Sequence, residues 1–130
     1  MPLSLLLALV LVPNVSMHEL EPHFDHEQFC IAAQDIERRA NADLGRWLDE
    51  YTRHGGMTVD CKTRAVELTL YVQLPFKDIP GRWQDRVHYQ WSDDYCTDPA
   101  WAASITQRWK ITLTIYSIAD EHFSVRADCH

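Results

Sequence analysis

The stretch Arg64 to Leu74, RAVELTLYVQL, alternates apolar Val66, Leu68, Leu70, Val72 and Leu74 with Glu67, Thr69, Tyr71 and Gln73. A period of two with one apolar set marks a strand buried on one face only. Trp109 to Ser117 repeats the pattern, with Trp109, Ile111, Leu113 and Ile115 on one side and Lys110, Thr112, Thr114 and Tyr116 on the other. Strands of this kind predict an antiparallel sheet with one face on a core and one face in water. The remaining segments are then whatever covers the apolar face.

Working outward, Met57 to Lys62 reads as a short strand with Met57, Val59 and Cys61 inward, turning at Lys62-Thr63 into the central strand. Gln107 to Ile118 and Glu121 to Cys129 form the last strand pair, joined at Ala119-Asp120, with Phe123, Val125, Ala127 and Cys129 inward. Asp25 and Gln28 have the form of a capping box, and apolar residues recur at three and four through Phe29, Ala33, Ile36, Ala40, Leu44, Trp47, Leu48 and Tyr51. That spacing predicts an amphipathic helix from His26 to His54, stopped by Gly55-Gly56. A second helix, capped by Asp78 with Pro80 in its first turn, lines up Trp83, Val87 and Trp91. Asp98-Pro99 starts a shorter one running to Ile105. The expected architecture is α+β in the order α-β-β-α-(α)-β-β: a four-stranded antiparallel meander with two main helices packed on one face.

A chain of 130 residues, 46% hydrophobic and 24% charged, is sized and composed for one globular domain. Residues 1–17 carry no charge and an apolar core from Leu3 to Val12, too short to span a bilayer and suited to a secretory signal peptide. Residues 18–25 read as an acidic, histidine-containing tail, and 26–130 as the α+β domain, with no membrane span in the mature chain. Four cysteines, Cys30, Cys61, Cys96 and Cys129, are widely spaced with no C-x-x-C pair, which predicts two structural disulfides and export to the periplasm or the medium. In a meander Cys61 and Cys129 lie on opposite outer strands, too far apart to bond. Each therefore reaches the helical layer, and chain path favours Cys30 with Cys61 and Cys96 with Cys129. The formal net charge of -7 argues against nucleic acid or an anionic membrane as partner.

No G-x-S-x-G, Walker loop or H-E-x-x-H occurs, so no catalytic residue and no cofactor is assigned. Three sets of residues remain. Tyr71, Thr69, Gln73, Thr112, Thr114 and Tyr116 form the wet sheet face, an aromatic and hydroxyl mixture suited to docking a protein. Asp85, His88, Tyr89 and Trp91 could line a ligand pocket, with Asp85 orienting His88 as a base. His18, His23 and His26 could capture a divalent metal. The leading expectation is a small exported, disulfide-stabilised, non-enzymatic binding, inhibitor or accessory protein with an unknown protein partner. Small-enzyme or ligand-carrier function at the pocket is the alternative, and metal binding by the tail a further one. The order of elements is broadly similar to cystatin-like and other helix-on-sheet domains, but fold class by itself transfers no function.

Overall fold

The alternating runs are realised as two neighbouring central strands in a computed structural model that describes residues 24–129. The chain runs α1 (His26–Asn41), β1 (Thr52–Asp60), β2 (Ala65–Val72), a 3-10 turn (Phe76–Asp78), α2 (Trp83–Cys96), α3 (Pro99–Thr106), β3 (Lys110–Ser117) and β4 (His122–Arg126). The sheet order is β1-β2-β3-β4. The expected leader at 1–17 and tail residues 18–23 lie outside the described residues.

Strand order follows the expected meander, but strand direction does not. β1–β2 and β3–β4 are antiparallel hairpins, whereas β2 and β3 are parallel, in register from Ala65 opposite Lys110 to Val72 opposite Ser117. The connection from Gln73 to Trp109 carries two helices, long enough to return the chain to the end of the sheet where β2 began. An all-antiparallel sheet is therefore corrected to two hairpins joined by a helical crossover.

Both hairpins have local causes. The Asp60 carboxylate accepts the Lys62 and Thr63 backbone N–H groups at 3.0 and 3.2 Å, and Arg64 takes a positive φ of 56° to close the first turn. Asp120, with φ of 60°, plays the same part between β3 and β4. Inward side chains Val66, Leu68, Leu70, Val72, Ile111, Leu113 and Ile115 are buried, together with Phe29, Ala33 and Ile36 of α1 and Trp83, Val87, Trp91 and Tyr95 of α2. Fully burying one such aliphatic side chain contributes about 1.5–3 kcal/mol. The Trp91 indole also donates to the Ile111 carbonyl at 3.0 Å, fixing α2 to β3.

Two helix boundaries differ from the sequence expectation. α1 ends at Asn41, not His54, and Leu44 and Trp47, which continue its apolar spacing, are exposed. Gly45 takes a φ of 83° and donates to the His54 carbonyl at 2.8 Å, so the chain turns back along β1. β1 accordingly begins at Thr52, and Gly55-Gly56 lies inside it as a bulge between His54 and Gly56. α2 starts at Trp83 without a side-chain cap; Asp78 sits in the preceding 3-10 turn, and Gly81, at φ 72°, separates the two. α3 begins as expected, with Asp98 accepting the Ala100 and Trp101 amides and Pro99 at the first position.

The disulfides join Cys30 to Cys61 and Cys96 to Cys129, spanning 31 and 33 residues. The pairing anticipated from a meander is found although the central strands are parallel, because each bridge is confined to one helix and the hairpin beside it.

Candidate functional site: an aromatic row on the open sheet face

Register places a line of side chains across the uncovered face. Arg53 is opposite Tyr71, Tyr71 opposite Tyr116, and Tyr116 opposite His122. Trp47 extends the line through an antiparallel bridge to Arg53. Directly paired residues share a sheet face, so Trp47, Arg53, Tyr71, Tyr116 and His122 form one row. Trp47 is 53% exposed, Tyr71 40% and Tyr116 41%, a large apolar surface left to solvent.

The row is internally organised. The Arg53 guanidinium carbon lies 5.4 Å from the Trp47 ring centroid, within cation–π range. The Tyr71 and Tyr116 rings stack at 5.7 Å and 28°. Tyr116 and His122 follow at 6.2 Å. Gly55 makes room for this: a Cβ there would stand 2.6 Å from Tyr71 Cε2 and 2.9 Å from the Thr69 carbonyl oxygen. The bulge thus lets the Tyr71 ring lie directly over the β1 backbone.

Of the six residues expected on this face, Tyr71 and Tyr116 are exposed and Thr69, Gln73 and Thr112 are half-buried. Thr114 is a correction: it is only 5% exposed, its hydroxyl hydrogen-bonded to that of Ser124 at 3.0 Å, so it does not present to a partner. Trp47, Arg53 and His122 are additions. The i,i+3/i+4 spacing assigns Trp47 to a helix core, and the turn at Gly45 that moves it to the sheet face leaves no mark on that spacing.

The second expected constellation is partly assembled. Asp85, His88 and Tyr89 line a surface cleft of about 520 Å³ with Ser92, Asp93, Cys96, Asp128 and Cys129. Trp91 is not part of it, being 1% exposed and bonded to Ile111 on the opposite side of α2. Three residues apart on an exposed face, Asp85 and His88 form no hydrogen bond with each other, so the helix does not build the base-and-orienter pair. Nearby, partial burial raises the Asp94 carboxyl to about 6, helped by the adjacent Asp93 charge. Burial likewise pushes the Tyr95 phenol up.

For the metal reading, His18 and His23 lie outside the described residues. His26 Nδ1 accepts the Trp109 indole N–H at 3.2 Å, and its ring meets Phe24 edge-on at 4.9 Å. That bond holds the proton on Nε2, the nitrogen a metal would need bare. Among the described residues no group of three His, Cys, Asp or Glu side chains is placed to hold a metal ion. No described helix is long and apolar enough to cross a membrane.

Compared with protein families and with curated proteins, the chain matches none. Among solved structures it is similar to a protein of Pseudomonas aeruginosa inferred to be secreted, known from a crystal structure at 1.60 Å resolution. The two share 15% identity over 88% of this chain and 95% of that one, with a TM-score of 0.59. At that identity the likeness is one of fold.

Proposed function

We propose that this chain is an exported, non-enzymatic domain that docks another protein through the open face of its sheet. Two disulfides and no free cysteine among the described residues suit an oxidising compartment. The secreted assignment of the structurally similar Pseudomonas protein agrees with export. The observation that carries the docking reading is the row from Trp47 to His122. Tryptophan, tyrosine and arginine are the residues that dominate protein interfaces, and here all three stand exposed in one line.

The test is co-purification of the native partner from the exported fraction, comparing the unaltered protein with Tyr71→Ala/Tyr116→Ala and with Ile31→Ala, an exposed apolar change on α1. The double variant is expected to lose partner recovery by about tenfold or more while Ile31→Ala retains it, all three unfolding at similar denaturant. Equal recovery by the double variant would overturn the proposal.

A further inference from the structure

The two outer strands of the sheet are treated differently. Along β1, every backbone group that faces away from the sheet and has a partner finds it in the first half of the chain. His54 N–H donates to the Arg46 carbonyl at 2.8 Å, and the Thr52 carbonyl accepts from Leu48 N–H at 2.7 Å. The Asn41 amide both accepts the Met57 N–H at 2.8 Å and donates to the Met57 carbonyl at 2.9 Å. The Glu37 carboxylate takes the Val59 N–H at 2.7 Å. That edge is closed to another strand.

β4 is not closed in this way. The Ser117 N–H bonds to the Glu121 carbonyl and the Ala127 N–H to the Ile111 carbonyl, both at 2.9 Å, so the odd-numbered residues are those bonded to β3. Alternation then directs the N–H and C=O of His122, Ser124 and Arg126 outward. No hydrogen bond from the described residues reaches those groups; cover begins at the Asp128 N–H, which donates to the Ser92 hydroxyl at 3.0 Å. Beside this edge runs a groove of about 630 Å³ lined by β4 residues 123–127, Thr112, His88 and Asp128. His88 and Asp128 also line the cleft on α2, so the two form one channel between helix and strand edge.

We propose that this channel takes an extended segment of a partner protein as a fifth strand on β4, with a basic residue at every second position. Backbone groups of His122, Ser124 and Arg126 supply the ladder, the mode by which exposed sheet edges recruit peptides. Successive side chains of an added strand point alternately to the helix side and the open-face side. On the helix side they meet Asp85 and Asp93; on the other they meet Arg126 and Thr112. Charge complementarity therefore selects Lys or Arg at alternate positions and uncharged residues between. A second copy of this chain fits poorly, since it would bring Asp85 and Asp93 against the same residues of its twin on a protein of net charge -7. The inference stands apart from the open-face reading, because it uses the backbone edge of β4 and the α2 side of the sheet, meeting the open face only at Thr112 and His122.

The experiment is amide NMR of the disulfide-bonded protein titrated with acetyl-Lys-Thr-Lys-Thr-Lys-Thr-Lys-amide, with the Glu-for-Lys peptide, and with the Lys peptide N-methylated at its threonines. The Lys peptide is expected to shift and protect the amides of His122, Ser124 and Arg126 at millimolar concentration or below, the other two peptides leaving them unchanged. Asp85→Lys/Asp93→Lys, which leaves the sheet intact, is expected to weaken binding about tenfold at low salt. Ser124→Pro removes an outward donor and is expected to abolish it. Shifts confined to the Tyr71 and Tyr116 row, no shift at all, or equal binding of the Glu peptide would each overturn the proposal. So would a dimer in solution that shields the same three amides without peptide.

Discussion

Each half of the chain sets a helix against a hairpin and bonds the two covalently: Cys30 of α1 to Cys61 after β1, and Cys96 at the end of α2 to Cys129 beyond β4. The halves differ at their outer strands. α1 carries Glu37 and Asn41 where their side chains reach the β1 backbone, and the chain after α1 folds back to pair with β1 through Trp47. Among the described residues α2 offers one contact of that kind, from Ser92 to the Asp128 N–H just beyond β4. Architecture alone therefore does not decide whether an edge is open. A few polar side chains at the right helical positions do, and the half that lacks them keeps a strand available to a partner.

The largest expected effect treats the halves as equals. Chain-entropy arguments for loops of 31 and 33 residues give about 3–4 kcal/mol for each disulfide, so Cys30→Ser/Cys61→Ser and Cys96→Ser/Cys129→Ser should lower stability by similar amounts in urea unfolding. A strongly unequal loss would show that one half depends far more on its bridge. Next is Gly55→Ala. Its Cβ meets both the Tyr71 ring and the immovable Thr69 carbonyl, so a loss of about 2–3 kcal/mol is expected, with Tyr71 resonances displaced. A neutral substitution would mean that Tyr71 does not lie over the bulge.

Asn41→Ala and Ser92→Ala compare the two edges directly. The first strips two part-buried hydrogen bonds from Met57 and should cost about 2 kcal/mol; the second removes one exposed bond and should cost about 0.5 kcal/mol. Hydrogen exchange at Met57 should accelerate in the first variant only.

A further effect, smaller than that of Asn41→Ala, depends on pH. Asp94 has a folded-state value near 6 against an ordinary 3.8, raised chiefly by burial. A carboxyl raised on folding favours the folded state when protonated, so its contribution is fully present below about pH 4 and is lost as pH rises through 6. Allowing for water around a half-buried group, Asp94→Asn should exceed the unaltered protein in stability by about 1 kcal/mol at pH 7.5 and match it near pH 4. The Asp60 carboxyl, lowered first by the Thr63 backbone N–H, and that of Glu121, lowered first by the Phe76 N–H, act in the opposite sense but are common to both proteins. A gap that stays constant with pH would contradict the assignment.

Strand identity was legible because alternation is local: Val66 to Val72 and Ile111 to Ile115 point inward as their spacing requires. Strand direction was not, since a strand buried on one face shows the same period beside a parallel or an antiparallel neighbour, and only the long connection through α2 and α3 decides it. The end of α1 was obscured because Leu44, Trp47 and Leu48 keep helical spacing past the last helical residue, although only Leu48 of the three is buried. Of the aromatic row, Tyr71 and Tyr116 could be read from strand alternation. Trp47, Arg53 and His122 join it through cross-strand register, which no single segment encodes.

The central claim is that the exposed row across the open face, from Trp47 to His122, is where a partner protein sits. Photo-crosslinking tests it most directly, with a benzophenone side chain placed in turn at Tyr116, at Ser124 on the β4 edge and at Ile31 on α1 in the exported protein. A discrete crosslinked partner from Tyr116, absent from Ile31 and abolished by adding Tyr71→Ala, is the predicted result. Crosslinks from Ile31 to the same partner, or from Ser124 with none from Tyr116, would contradict it.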